Sequence, residues 1–499
     1  MRVLRITCSA ALAVTVLAIP LDAAATTASG AYGAARAGHA YGTAQGGHAH
    51  AAAAGTAATP FINWRSYLLG PGHHSANSAA TAITPAAVPA LKQAWRWKPA
   101  GATMPGQPGP RLLASPTVVG GRIFIGAKTG VFYALDEATG HVIWQRFLGF
   151  VTAKTCGAMG FTSTATVAKD PVTGTLTVYV AAADGHLYAL NAATGATVWR
   201  SVVGIPSATQ NDYYNWSSPT VAGGHVYMGV SSQCDAPLVM GGLKEYDQSN
   251  GALIAFYQTY PGHSKGASIW SSAAARFSGK YVFVTTGNGP AGSDGFSVVR
   301  LAGANLAKLD SWQVPVSQRI SDSDFGGSPT LFSATLSGSS VPLVGACNKN
   351  GTYYVLRQTM LAAGPVWTFP VGSAAGSSGQ CDAAAVWDGS NLYVAGNQTV
   401  IGGHTFQGSV RSLDPATGTP RWETGLPGGV IGSPTLDGGG VLAVPTFSNS
   451  GLFLIDAATG AVLANIATGP EFGQPVFAGN MMLIPTQDNG LWAYVPGAR

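Results

Sequence analysis

Between Ser115 and Gln145 the chain reads SPTVVGGRIFIGAKTGVFYALDEATGHVIWQ, and its second half returns as GHLYALNAATGATVWR, GSVRSLDPATGTPRW and SGLFLIDAATGAVLA. Each copy is a strand, a glycine turn, a strand of the LYAL type, a turn built on Asp or Asn followed by Thr-Gly, and a last strand ending near Trp. The Asp can bond to its own following backbone and the Gly supplies a positive φ, so the D-x-x-T-G segment is a hairpin turn. Alternation along the strands gives one face of each sheet to each of two neighbours. Blade openings near Ser115, Ser163, Ser218, Ser272, Ser328, Asp382, Ser433 and Gln474 lie 41 to 56 residues apart. Four-stranded units at that period predict an all-β, eight-bladed β-propeller of antiparallel blades. The last unit is short, and Leu91–Trp97 (LKQAWRW) is expected to supply its missing strand and close the ring, leaving no free sheet edge.

Composition agrees with short strands and tight turns. Charged residues are 9% of the chain and Gly numbers 67, against about 25% charged in ordinary domains. The net charge of +5 comes without a Lys/Arg cluster, which argues against nucleic acid as a partner. The chain starts MRVLRITCSAALAVTVLAIPLDAAATTA. Arg2 and Arg5 precede an apolar run from Ile6 to Pro20 and then small residues, so residues 1–25 read as a secretory signal. The run is short for a membrane span and no later stretch qualifies, so the mature chain is expected to be secreted or extracytoplasmic without a membrane span. Residues 26–60, rich in Ala, Gly, Thr and His, read as a flexible linker, with His39, His48 and His50 as weak metal candidates; residues 61–499 form the propeller. Four cysteines remain after the signal, Cys156, Cys234, Cys347 and Cys381. An even count in an oxidising compartment favours disulfides, with three connectivities open; pairing 156 with 234 and 347 with 381 would join neighbouring repeats.

The DATG…W units and the opening segment WRSYLLGPGHHSANSAATAITPAAVPALKQAWRW resemble quinoprotein (PQQ-dependent) alcohol and polyvinyl-alcohol dehydrogenases, over roughly residues 61–499. Such repeats also build propellers without a cofactor, among them outer-membrane assembly lipoproteins, so fold alone does not give function. Three motifs carry the resemblance further. GASIWSSAAARFSGKYVFVTTGNGP is similar to the stretch that supplies a Trp under the quinone and an Asn on calcium, which implies those roles for Trp270 and Asn288. Indole offers stacking area to a planar cofactor, and an amide oxygen suits a hard cation. Asp324-Phe-Gly-Gly resembles the motif holding the catalytic base, which would accept the alcohol proton and touch the metal; Asp322 beside it is a polar loop residue. Gly326 stands where lanthanide-type relatives carry a second Asp, which favours calcium. In ACNKNGTYYVLR, Lys349-Asn-Gly resembles the segment whose cation meets the quinone oxygens and stabilises developing negative charge. Lys128 occupies the same offset in GAKTGVFYAL, so position alone does not distinguish Lys349.

Departures accompany the match. No Glu stands at the family's calcium-binding position; Asp235 falls there, and Met240-Gly241 replaces its Arg-Gly. In place of adjacent cysteines the chain has only Cys156, and the Arg that follows them is missing, so the upper face of the quinone lacks its usual cover. No C-x-x-C-H haem motif is present. The resemblance thus implies PQQ and Ca²⁺ as cofactors, with Asn288, Asp324 and Asp235 on the metal, a small alcohol or polymer substrate, and an external electron acceptor. The alternative is a non-catalytic propeller that binds protein, glycan or cell-wall polymer. A hydrolase has little support, because no nucleophile-elbow motif occurs and the His residues are scattered through turns.

Overall fold

The computed structural model describes residues 61–152, 154–372, 379–448 and 450–497. The expected signal and linker, with His39, His48 and His50, lie outside them. Eight four-stranded antiparallel sheets follow one another, and a two-residue strand, Ala76–Asn77, adds a parallel edge to the seventh. Blade 1 runs Thr117–Val119, Arg122–Gly126, Val131–Asp136 and Val142–Phe147 from the axis outward. In blade 8 the outermost strand is Leu91–Trp97, paired antiparallel with Gly490–Pro496, so the two ends of the chain share one sheet and close the ring. Among the described residues no helix is long and apolar enough to cross a membrane.

The strand pattern explains the packing. In blade 1, Ile123, Ile125, Tyr133 and Leu135 join the apolar cluster shared with blade 8, whereas Phe124, Phe132 and Ala134 join the cluster shared with blade 2. Period-two alternation therefore feeds two interfaces from one sheet, and outermost strands such as Val142–Phe147 are largely exposed. Two further devices repeat at the junctions. Near the axis, a backbone N–H of one blade donates to a hydroxyl of the next: Ser115 to Thr164, Thr164 to Ser218, Ser218 to Ser272 and Ser272 to Ser328, each at 2.9 Å. The register corrects the sequence spacing at two blades. The equivalents of Ser115 are Thr164 and Ala384, not Ser163 and Asp382, because Ala384 N–H is the group that donates to Ser433 Oγ.

Farther out, the Trp ending one blade docks on the Gly-ended turn of the following one, Thr-Gly in blades 2 and 6 and Asn-Gly in blade 3. Trp144 Nε1 donates to Ala192 O, Trp199 Nε1 to Gln248 O and Trp367 Nε1 to Pro415 O. The turn Gly is required twice over. Gly195 has φ +71°, and a Cβ there would lie 2.7 Å from the Trp144 ring. Gly174 has a similar φ of +70° with nothing within 4 Å, and isolates the backbone cost. Gly174→Ala should therefore lower stability by about 1 kcal/mol. Gly195→Ala adds a steric clash to that cost and should lose about 3 kcal/mol. Urea unfolding followed by tryptophan fluorescence compares the two, and equal midpoints would remove the packing role.

The repeat turns all lie at one end of the blades. The segment from Trp64 to Asn77 runs beneath them, its carbonyls accepting inner-strand N–H groups: Arg65 from Val167, Pro71 from Ala275, Gly72 from Leu331 and His74 from Trp387. This segment closes the axis from that side. Function-bearing departures are left to the loops at the opposite end.

Candidate active site

Those loops bring the five sequence candidates together. Asp235 lies between the second and third strands of blade 3 and Asn288 at the same place in blade 4. Trp270 enters blade 4, Asp324 enters blade 5, and Lys349 is on the turn between Ser339–Asn348 and Thr352–Arg357. All five line one pocket of about 360 Å³, with Trp216, Cys234 and Asp322. The Lys349 backbone is fixed on both sides, its N–H donating to Asp324 O and its O accepting from Gln380 N–H. Its side chain is 15% exposed and its Nζ lies 2.7 Å from Asp324 Oδ1 and 3.2 Å from Asp322 Oδ1. The ammonium also stands 4.7 Å from the Trp270 ring centroid. Lys128, at the equivalent turn of blade 1, makes no ion pair with a described residue. Company, not turn position, separates the two lysines.

Asp324 is held from two sides. Besides the lysine it accepts the Trp270 indole N–H at 2.9 Å, so the aromatic floor and the carboxylate are one unit. Burial pushes the Asp324 carboxyl above the usual aspartate range, against the pull of Lys349 and Trp270. Burial also opposes the Lys349 charge, but Asp324, Asp382 and Asp322 together outweigh it and hold the ammonium above the usual lysine range.

Asn288 is the hub of the oxygen donors. Its Nδ2 donates to Asp235 Oδ2 at 3.1 Å and to Asp322 Oδ1 at 2.7 Å. Asp235 is fixed in the left-handed region at φ +59°, its Oδ1 accepting from Ser232 Oγ at 2.7 Å. Turning the amide over would present its oxygen between the same carboxylates, an all-oxygen set suited to a hard cation. Asp322, Asp324 and Asp382 act on one ammonium and Asp235 lines the same pocket, so acidic groups outnumber the one basic group. Among the described residues no three His, Cys, Asp or Glu form a metal-sized group by themselves; the Asn288 amide is needed to complete one. The donor chemistry and the charge deficit fit a hard cation, and an indole face in a pocket of this size fits a planar group.

The cysteines pair as 156–234 and 347–381. Cys156 thus has a sulfur partner, supplied by blade 3, and Cys234 lines the same pocket as Trp270. A buried amide pair ties the two loops: Asn211 Nδ2 donates to Gln233 Oε1, and Gln233 Nε2 donates to Gly157 O. The disulfide thus joins a loop of blade 2 to the loop of blade 3 that lines the pocket.

Below Trp270 is an axial cavity of about 240 Å³, floored by Tyr67 of the closing segment. One residue from each blade forms its wall two places before the hydroxyl ring. Leu113, Thr162, Trp216, Trp270 and Gly326 lead round to Ile431 and Phe472, and the eighth, between Gly326 and Ile431, is Asp382. Sequence reasoning treated Asp382 only as a landmark. Aligning the repeat at this level would have exposed it as the ring's single charged residue. Gly326 has a local reason as well, since a Cβ there would come within 2.2 Å of Asp382 Oδ1 and 2.9 Å of Trp270 Cη2.

Residues 64–360 match the family described as glucose/ethanol/alcohol dehydrogenase, beta-propeller domain. The chain belongs to this family. Its later blades, residues 362–463 and 407–496, match the family of outer membrane protein assembly factor BamB. Among individual relatives, BamB of Burkholderia pseudomallei is 26% identical over 352 residues, 64% of this chain and 82% of that protein. BamB of Legionella pneumophila is 26% identical over 195 residues, 36% of this chain and half of that protein. Quinohemoprotein alcohol dehydrogenase ADH IIB of Pseudomonas putida is 25% identical over 295 residues, half of this chain and 40% of that protein. In fold the propeller resembles the quinohemoprotein alcohol dehydrogenase of Comamonas testosteroni, with TM-score 0.69, 18% identity and coverage of 88% and 81%. It also resembles a europium-containing methanol dehydrogenase, with TM-score 0.69, 15% identity and coverage of 87% and 98%.

Proposed function

We propose that this member of the dehydrogenase propeller family is a quinoprotein-like oxidoreductase that oxidises an alcohol or a polyol-type polymer. The observation carrying the reading is the meeting of Trp270, Asn288, Asp324 and Lys349, from two adjacent blades, in one pocket. When bound, PQQ would supply a two-electron acceptor and Ca²⁺ a Lewis acid beside it. Trp270 would carry the planar group on its face, its ring orientation fixed by the bond to Asp324. Asn288 and Asp235 would hold the cation, with Asp324 at its edge. Asp324 would take the substrate hydroxyl proton, a role favoured by a carboxyl whose burial raises its proton affinity. Lys349 would stabilise negative charge developing beside Trp270. The disulfide 156–234 would wall the pocket near Cys234. Electrons would leave to a separate acceptor, since the sequence has no C-x-x-C-H segment. The expected signal at residues 1–25, the linker at 26–60 and two disulfides support an extracytoplasmic location.

The BamB matches support a second reading, a non-catalytic propeller that binds protein or wall polymer. Titrating purified protein with PQQ in CaCl₂, and assaying dye-linked alcohol oxidation, separates the two. Saturable binding with turnover is expected; a folded protein that binds no PQQ at micromolar concentration would favour the scaffold.

A further inference from the structure

Lys349 is paired with Asp324 and Asp322, the carboxylates on the side where a cation would bind if the proposed function holds. A cation and an ammonium cannot share them without repulsion. Asp382 stands on the other side, in the wall of the axial cavity that Lys349 also lines. Its Oδ1 is buried and has no hydrogen-bond partner, which is costly unless a donor reaches it in some state of the protein. The spacing between the two residues is fixed by covalent structure. Cys347, two places before Lys349, is bonded to Cys381, next to Asp382, and both cysteines are fully buried. Gly326 keeps the space around Asp382 Oδ1 clear. The backbone of Lys349 is held at both its N–H and its carbonyl, so only its four-carbon stem is free to redirect the charge.

We propose that Asp382 is a second seat for the Lys349 ammonium: cation binding among Asn288, Asp235 and Asp324 sends the lysine from Asp324 to Asp382. Asp382 is a positioning residue in this scheme. It gives the displaced charge a partner and so makes the cation site available without leaving an unpaired buried ammonium.

The inference rests on the proposed cation site, and a double-mutant cycle read by calorimetric Ca²⁺ titration of the full chain, without substrate or quinone, tests it. Asp382→Asn should weaken Ca²⁺ binding about tenfold, because the ammonium then stays on Asp324 as a competitor. Removing a negative charge would weaken any nearby cation site, so the deciding measurement is the same change in a Lys349→Ala background. There the effect of Asp382→Asn should shrink to less than about threefold. Equal losses in both backgrounds, or no loss in either, overturn the lysine movement while leaving the cation site standing. Failure of the folded wild-type protein to bind Ca²⁺ overturns both.

Discussion

Asp324→Asn abolishes turnover and leaves PQQ binding at saturating Ca²⁺ largely intact, with Ca²⁺ affinity lowered by the loss of one carboxylate; this is the expected result of the most informative single substitution. The side chain is 2% exposed, so the change must be nearly isosteric, and Asn is. Its amide oxygen can still accept the Trp270 indole N–H, preserving the orientation of the floor. Lys349 keeps Asp322 as an ion-pair partner and Asp382 within its electrostatic reach, so no buried ammonium is left alone. What Asn cannot do is take a proton. Loss of a positioned general base typically costs about 10²- to 10⁴-fold, which should appear in kcat measured with an artificial electron acceptor. PQQ affinity, followed by absorbance titration at saturating Ca²⁺, should change little. A variant keeping more than about a tenth of the wild-type kcat would exclude Asp324 as the base.

The repeat made the scaffold legible because its signals are local. An Asp-x-x-Thr-Gly turn, a Trp and a glycine each do the same job in blade after blade, and closure by Leu91–Trp97 followed from the missing strand alone. Trp270, Asn288, Asp324 and Lys349 stood out because their motifs resemble those of quinoprotein dehydrogenases, and they lie at the end of the blades opposite the turns. Asp382 did not stand out, since its significance is a comparison among eight equivalent positions, and the blade spacings of 41 to 56 residues blur that alignment by one or two places. Asp322 read as a loop residue because its partners, Asn288 and Lys349, lie 34 and 27 residues away on other loops. The axial closure by Trp64–Asn77 combines backbone carbonyls with side chains such as His73 and Asn77, whose partners Pro329 and Phe477 lie 256 and 400 residues away, a pairing that no local pattern announces. Cys234 supplies the sulfur across from Cys156, but four cysteines admit three pairings and only the blade geometry chooses one.

Replacing Lys349 separates charge from packing. Lys349→Met retains the aliphatic stem over Trp270 and deletes the ammonium. Asp324 then loses a nearby positive charge while remaining buried, and this favours its protonated form whichever carboxylate the ammonium sits on. Burial already lifts the Asp324 carboxyl and Lys349 pulls it down, so removing the lysine must move it further up. The base acts only when ionised, hence the acid limb of the kcat/KM–pH profile should shift to higher pH. At neutral pH the loss should be about 10²- to 10³-fold, combining fewer ionised Asp324 carboxylates with lost charge stabilisation at the reacting edge. Lys349→Arg should recover part of the rate and return the limb toward its wild-type place, because a guanidinium restores the charge although its planar fork is bulkier. An unshifted limb in Lys349→Met, with kcat/KM reduced at every pH alike, would assign the lysine to charge stabilisation alone and uncouple it from the ionisation of Asp324.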